Sequence, residues 1–344
     1  CLYVGGEVSY AKVNSKNLNK YIKSRHSSDN ISSFDDEMEL IVFQTSGIFF
    51  DAQTNDIETL CTLPRHHGHR EIPSLTPEIT SDLIDKTTHY LANQVKSNGR
   101  FEYGHFPCFG RNINTYNTLR HASSVYSLIE GYGFCREHQL ESQNLGFIAQ
   151  QIESALLYLE NNVIKHYPDN KAYILEINNT IKLGANAVCI LALVKYIQVF
   201  SNSEHNPRFL ELSKKLANGI LAMQKPSGQF VHVLNADTLE VISENHVIYY
   251  DGEAVFGLMR LYGIDKDERW INCVEKAFDY FIESDSGHNG AHDHWLSYCT
   301  NEMVIYRPER KYFQFAVNNV KGFTDFIKNR ITTYPTLLEL SMAF

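Results

Sequence analysis

From about residue 78 onward, two kinds of helical segment alternate five times along the chain. One kind is amphipathic. In 147–164 the apolar positions are Phe147, Ile148, Ile152, Ala155, Leu156, Leu159 and Val163, and in 267–282 they are Trp270, Ile271, Val274, Ala277, Phe278, Phe281 and Ile282. Steps of three and four residues place one apolar stripe on a helix and leave its other face polar. Segments 79–95, 209–223 and 312–327 follow the same rule. The other kind is apolar or small nearly all round, at 116–130, 183–200, 250–262, 295–306 and 335–344. A helix without a polar face is buried on every side. Half-buried outer helices alternating with wholly buried inner ones predict a mainly α fold. Over 78–344 the pattern is that of an α/α toroid of about five or more helical hairpins.

A local repeat agrees. Gln94-Val95-Lys96-Ser97-Asn98-Gly99-Arg100-Phe101 ends one outer segment, and Gln224-Lys225-Pro226-Ser227-Gly228-Gln229-Phe230 ends another. Glycine suits a helix C-terminus, and the phenylalanine packs back on the helix end. The repeat speaks to fold rather than chemistry. Residues 1–77 have a different pattern. Runs 38–43 and 47–51 are β-type, 53–56 is a turn, 57–60 returns as a strand, and 17–25 is a short helix. A polar stretch, 64–77, follows. These features predict a small β-rich module ahead of the toroid.

Composition narrows the function. The 344 residues are 43% hydrophobic and 21% charged, with 20 Tyr and 20 Phe, which is a core-forming balance. A net charge of −9 with no basic block argues against nucleic acid or an anionic membrane surface as a partner. The longest apolar run, near 188–199, is interrupted by Lys195 and Gln198, and is too short to insert across a bilayer. The seven cysteines, at 1, 61, 108, 135, 189, 273 and 299, form no CxxC unit, so a structural zinc is not expected and no cofactor is implied. Cys189 and Cys273 fall in apolar helical patterns and read as buried free thiols. Such usage fits a reducing, cytoplasmic setting, and a periplasmic protein with few bridges fits as well. The chain starts at Cys1 without a signal-peptide pattern and stops inside the apolar stretch 335–344. The sequence is therefore expected to be a piece of a longer polypeptide with further domains.

In a toroid, the loops that enter inner helices meet at one mouth, which selects four clusters. The first is Tyr116-Asn117-Thr118-Leu119-Arg120-His121-Ala122. Its Arg and His are costly to bury alone, and point either to an anion clamp with a proton carrier or to a structural ion pair. The second is Tyr249-Tyr250-Asp251-Gly252-Glu253-Ala254. Asp251 suits a helix cap, and Glu253 in the first turn is either a general acid–base or the ion-pair partner of Arg120. The third, His288-Asn289-Gly290-Ala291-His292-Asp293-His294-Trp295, suits contacts to sugar hydroxyls and rings better than a metal, with Asp293 as a helix cap. In the fourth, Tyr334-Pro335-Thr336-Leu337-Leu338-Glu339, Pro335 starts a helix, and Glu339 joins Arg330 as candidates for a buried polar network.

The helix alternation, the Gly-Arg-Phe and Ser-Gly-Gln-Phe turns, Arg120-His121-Ala122 and Asp251-Gly252-Glu253-Ala254 resemble the α/α-toroid carbohydrate-active enzymes. These include the N-acylglucosamine 2-epimerase, glucuronyl C5-epimerase and unsaturated glucuronyl hydrolase types. The resemblance covers 78–344 and is architectural. Those families place six or more hairpins in the ring, against five here.

The resemblance implies an enzyme acting on a glycan or sugar acid. Glu253, Asp251 and His121 are its candidate catalytic residues. Arg120, Tyr116, Asn117, Tyr250, His294, Trp295 and Glu339 are its candidate substrate-binding residues. Hydrolysis, elimination and epimerisation all stay open. So does a second reading, a non-catalytic toroidal domain that binds a glycan or a protein. Arg120, His121, Asp251, Glu253 and His294 are expected around a single cavity.

Overall fold

The computed structural model describes residues 15–26, 39, 41, 43–62, 68–71, 74–106, 110–140, 144–243, 246–284, 292–329 and 334–344. The chain divides into two compact units, one of residues 1–80 with 330–332 and one of residues 81–329 with 333–344. In the first, helix α1 (Ser15–His26) precedes an antiparallel hairpin of β1 (Ile48–Asp51) and β2 (Asp56–Thr59). Ile48 pairs with Thr59 and Asp51 with Asp56. Asn55 takes φ 61 in the turn, a conformation that asparagine tolerates. Of the expected strand 38–43, Glu39, Ile41 and Phe43 lie outside any strand, and Met38, Leu40 and Val42 lie outside the described residues.

Thr76 and Pro77 start α2 (Pro77–Asn93): the Ile79 N–H donates to Thr76 Oγ1 at 3.3 Å, and proline suits the first helical position. After it come β3 (His105–Phe106), β4 (Arg111–Asn112), α3 (Thr118–Glu137) and α4 (Leu145–Tyr158). A π-helical turn, Leu159–Val163, leads from α4 into β5 (Ile164–Tyr167), β6 (Lys171–Ile174) and β7 (Thr180–Lys182). Next are α5 (Leu183–Val199), α6 (Asn206–Ala222), β8 (Val233–Asn235) and β9 (Val241–Ser243). The unit ends with α7 (Tyr250–Asp265), α8 (Glu268–Glu283), α9 (His294–Tyr306), α10 (Arg310–Val320), α11 (Phe323–Asn329) and α12 (Tyr334–Met342).

The two helix classes separate as their patterns require. Helices α3, α5, α7 and α9 pack side by side in that order as an inner arc, with α4, α6, α8 and α10 laid outside them. Every residue of α5 from Leu183 to Val194 is buried, whereas α8 buries one stripe, Trp270, Ile271, Val274, Ala277, Phe278 and Phe281. Two segments differ from expectation. The stretch 312–327 breaks at Gly322, where φ is 88, into α10 and α11. Helix α12 stands at the end of the arc, and its Leu338 and Met342 are exposed rather than enclosed.

The two Gly-x-Phe turns are equivalent. Val95 bridges to Phe101, and Gln224 bridges to Phe230. The structural counterpart of Gln224 is thus Val95, one residue along from the Gln94 that the sequence echo suggests. Gly99 (φ 82) and Gly228 (φ 96) each press on the next outer helix. A Cβ would sit 2.1 Å from the Ser154 carbonyl oxygen at Gly99 and 2.2 Å from that of Lys276 at Gly228.

Short strands dress the ends of the inner helices. Strands β5 and β6 form a hairpin, and β7, β8 and β9 form a sheet in that order. Strand β7 runs straight into α5, and β8–β9 precedes α7. Strands of three or four residues are too short to show a period of two, so the sequence does not reveal them.

Candidate functional site

The starts of successive inner helices lie in one row. The Thr118 N–H at the head of α3 donates to Glu176 Oε2 at 3.4 Å, and Lys182 Nζ lies 3.8 Å from Glu176 Oε1. A Cβ on Gly184, at the head of α5, would meet Glu253 Oε2 at 2.0 Å and the Tyr250 ring at 2.7 Å. A Cβ on Gly252 would meet Asp293 Oδ2 at 2.6 Å. His294 Nε2 lies 3.8 Å from Glu339 Oε2, and Tyr298 Oη donates to the Glu339 carbonyl at 3.0 Å.

The α7 end of this row is the most organised. Asp251 is buried, and each of its oxygens takes one imidazole: His232 Nε2 on Oδ1 and His246 Nε2 on Oδ2, both at 3.0 Å. The Val247 N–H donates to His232 Nδ1 at 2.8 Å. That nitrogen must therefore be unprotonated, which puts the His232 proton on Nε2, facing Asp251. The three side chains bring ligand atoms within 4.8 Å of one another, close enough to consider a metal. However, a metal needs the His232 Nε2 lone pair, and the backbone bond at Nδ1 commits Nε2 to donation. The trio is built to hold protons. His246 is part-exposed, and its bond to Asp251 raises its basicity above the ordinary value of 6.5, against the opposite pull of burial.

Two carboxyls beside the trio favour the protonated form. Glu253 is 5% exposed, and burial, reinforced by Asp293, holds it well above the ordinary carboxyl range. Its Oε2 has no hydrogen-bond partner among the described residues. Asp293 is pushed up to about 7, chiefly by burial, against the pull of the Trp295 and Leu296 N–H groups that it caps. His294 is buried and neutral, lowered to about 4, with Nδ1 unpartnered among the described residues. Tyr249, just before α7, has φ 82, and its ring packs 5.2 Å from that of His294. A tyrosine in the left-handed region stores strain, and such strain gathers at working sites.

The α3 cluster takes a different form. The buried His121 donates from Nε2 to the Ala155 carbonyl at 2.9 Å and accepts from Tyr116 Oη at Nδ1, 2.5 Å. Tyr116 Oη in turn accepts the Phe101 N–H at 3.1 Å. His121 also stacks on Tyr158, 5.1 Å between ring centres, and burial lowers it to about 4. Both nitrogens are satisfied, so it is a neutral packing hub. Arg120 is exposed, and its guanidinium pairs with no carboxylate among the described residues. The expected Arg120–Glu253 ion pair is therefore corrected: an exposed guanidinium needs no buried partner. Tyr116, Asn117, Arg120 and His121 line a cleft of about 400 Å³ that excludes Asp251, Glu253 and His294. Among the described residues, the five groups expected around a single cavity do not all line this cleft.

No family model matches the chain, and no curated protein matches it in sequence. Solved structures do match. Cellobiose 2-epimerase from Bacillus thermoamylovorans superposes with a TM-score of 0.53 at 15% identity, covering 73% of this chain and 72% of that one. Cellobiose 2-epimerase from Spirochaeta thermophila gives 0.53 at 11%, covering 74% and 72%. A sugar epimerase from a ruminal bacterium gives 0.52 at 12%, covering 72% and 71%. The chain has the α/α-toroid fold. At these identities the likeness is one of architecture.

The toroid places Tyr250, Asp251, Glu253, His294, Trp295 and Glu339 in the row from α7 to α12. His288 to Ala291 and Arg330 lie outside the described residues. His292 stacks on Phe326 at 3.9 Å, and Asp293 is the α9 cap that its spacing suggests. The sequence does not single out His232, His246 or Glu176. The two histidines flank the β8–β9 hairpin, which carries no recognisable pattern of its own.

Proposed function

We propose that this toroid is a carbohydrate-active enzyme that moves a proton at a sugar carbon, by epimerisation or isomerisation. The observation that carries this reading is the His232–Asp251–His246 chain, a carboxylate fixed between two imidazoles with the outer one part-exposed. His246 is the general acid–base, and Asp251 orients it and stabilises the imidazolium. His232 is a positioning residue, held by the Val247 N–H. Neutral His246 takes the proton beside the carbonyl of an open-chain sugar. The C–H electron pair becomes a C=C bond, and the carbonyl oxygen gains the negative charge. The O–H of protonated Glu253 donates to that oxygen. Return of the proton to the adjacent carbon, with Glu253 moving the hydroxyl proton between the two oxygens, gives the isomer; its return to the opposite face of the same carbon, after the enediol has turned in the site, gives the epimer. Tyr250, His294 and Trp295 line the sugar, and residues 1–77 are a separate module.

Glycoside hydrolysis fits less well. It needs an ionised carboxylate directed at the sugar or at water together with a carboxylic acid. Both Asp251 oxygens are taken by imidazoles, and Glu253 and Asp293 are biased towards protonation. The three matched structures are epimerases, which agrees with proton transfer.

The test is product analysis with D-glucose, D-mannose, cellobiose and p-nitrophenyl glycosides. Conversion of a reducing sugar without glycoside cleavage is expected, and His246→Gln should lower it by roughly 10²-fold or more. Glycoside cleavage that His246→Gln leaves intact overturns the reading. Saccharide binding with no conversion favours a non-catalytic domain instead.

A further inference from the structure

The cleft between α2 and α3 differs in charge from the α7 centre. Its walls include Tyr90 from α2, Gln94, Tyr103 and Tyr116 from the connection, and Arg120 and Ser124 from α3. The carboxylate in its lining, Glu102, is already paired with Lys96 at 2.6 Å. The Arg120 guanidinium is exposed and unpaired with any carboxylate among the described residues, whereas Arg100 is half-buried. The Arg100 guanidinium lies on the Tyr116 ring, 4.0 Å from its centre. One cationic group, Arg120, therefore lines a cleft whose carboxylate is already paired, in a chain of net charge −9.

This placement runs against local electrostatics. Arg120 is in the first turn of α3, which holds no acidic residue. The positive end of the helix dipole disfavours a cation there. Glu176 offsets part of that field at the Thr118 N–H, but Lys182 already accompanies it. An anion in the cleft would be attracted by Arg120 and by the helix end together. The aromatic wall is preset. Tyr116 is locked through its hydroxyl to the Phe101 N–H and His121 Nδ1, so its ring cannot turn away. Tyr90, 67% exposed, also lines the cleft. Tyr90 and Tyr103 beside the Arg120 guanidinium suit a pyranose that carries a carboxylate or a phosphate.

We infer that the α2–α3 cleft is a saccharide subsite for an anionic group, separate from the proton-transfer centre. The inference builds on the proposed carbohydrate function. Two inner-helix spacings of 8–10 Å separate the heads of α3 and α7, roughly 16–20 Å in all. A single monosaccharide cannot occupy both places, so the ligand that fills both is an oligosaccharide with its charged residue at Arg120.

Calorimetric titration tests this with the whole chain. The probes are D-glucuronate, D-glucose 6-phosphate, neutral D-glucose and inorganic phosphate. The wild type is expected to bind an anionic sugar at least tenfold tighter than glucose, and less tightly as salt rises. Arg120→Gln should abolish that preference while the melting temperature stays within about 1 °C, and Arg120→Lys should keep part of it. Glucuronate and glucose 6-phosphate, compared directly, distinguish carboxylate from phosphate. Equal binding of glucose and both anionic sugars overturns the inference, as does a preference that survives Arg120→Gln. Inorganic phosphate binding as tightly as the sugar phosphate also overturns it, since the cleft would then recognise no saccharide. His246→Gln separates the two claims. It should stop conversion at α7 and leave the anion preference at α3 in place.

Discussion

The carboxyl of Glu253 occupies the space that a side chain at residue 184 would need. A Cβ on Gly184 would lie 2.0 Å from Glu253 Oε2 and 2.7 Å from the Tyr250 ring. Gly184 sits on α5, 69 positions before Glu253, and its bare α-carbon is what admits a buried carboxyl between two inner helices. Gly184→Ala should therefore displace Glu253. Overpacking of this kind costs about 1–3 kcal/mol. Urea melts together with turnover measurements check it, with both stability and activity expected to fall. An alanine variant as stable and as active as the wild type would show that Glu253 does not lean on residue 184.

Asp293 gives the fold a pH dependence of definite sign. Its carboxyl rises from an ordinary 3.8 to about 7, first through burial. Between those values the folded chain keeps a proton that the unfolded chain releases, so stability falls as pH rises from about 4 to 7 and then levels off. Asparagine caps a helix as well as aspartate does and cannot ionise. Asp293→Asn should match the wild type near pH 4 and exceed it at pH 8, by up to about 4 kcal/mol at 1.36 kcal/mol per unit. Melting curves at the two pH values decide it, and a wild type that is the more stable at pH 8 contradicts the assignment.

The helical architecture is legible in the sequence because burial leaves a periodic trace. The all-apolar run at 183–200 and the striped run at 267–282 become α5 and α8 within a residue or so of the expected ends. Asp251 and Glu253 are also legible, since carboxylates at the head of an apolar helix stand out. Their partners are not. His232 and His246 reach Asp251 only because a hairpin of three-residue strands folds back over the α7 head. No spacing rule links them. Arg120 shows the opposite error. A cation in an apolar segment suggests burial, yet its side chain points out of the α3 surface to solvent.

Tyr116 separates a structural from a chemical role for His121. Its hydroxyl joins the Phe101 N–H to His121 Nδ1 in a buried chain. Tyr116→Phe removes both bonds at once and leaves two buried polar groups unsatisfied, at about 1–3 kcal/mol for each such group. Chemical denaturation should show a loss in that range. A Phe variant of wild-type stability would mean that His121 is not held as a neutral hub.

The central claim is that His246, oriented by Asp251, carries a proton to and from a sugar carbon. The direct measurement is deuterium uptake by NMR, with the sugar that the wild type converts incubated in D2O. The account predicts one solvent deuterium at the reacting carbon with wild-type protein. It predicts uptake lower by roughly 10²-fold with His246→Gln, in a protein that melts as the wild type does. Conversion without deuterium in the product, or uptake undiminished in His246→Gln, would contradict it.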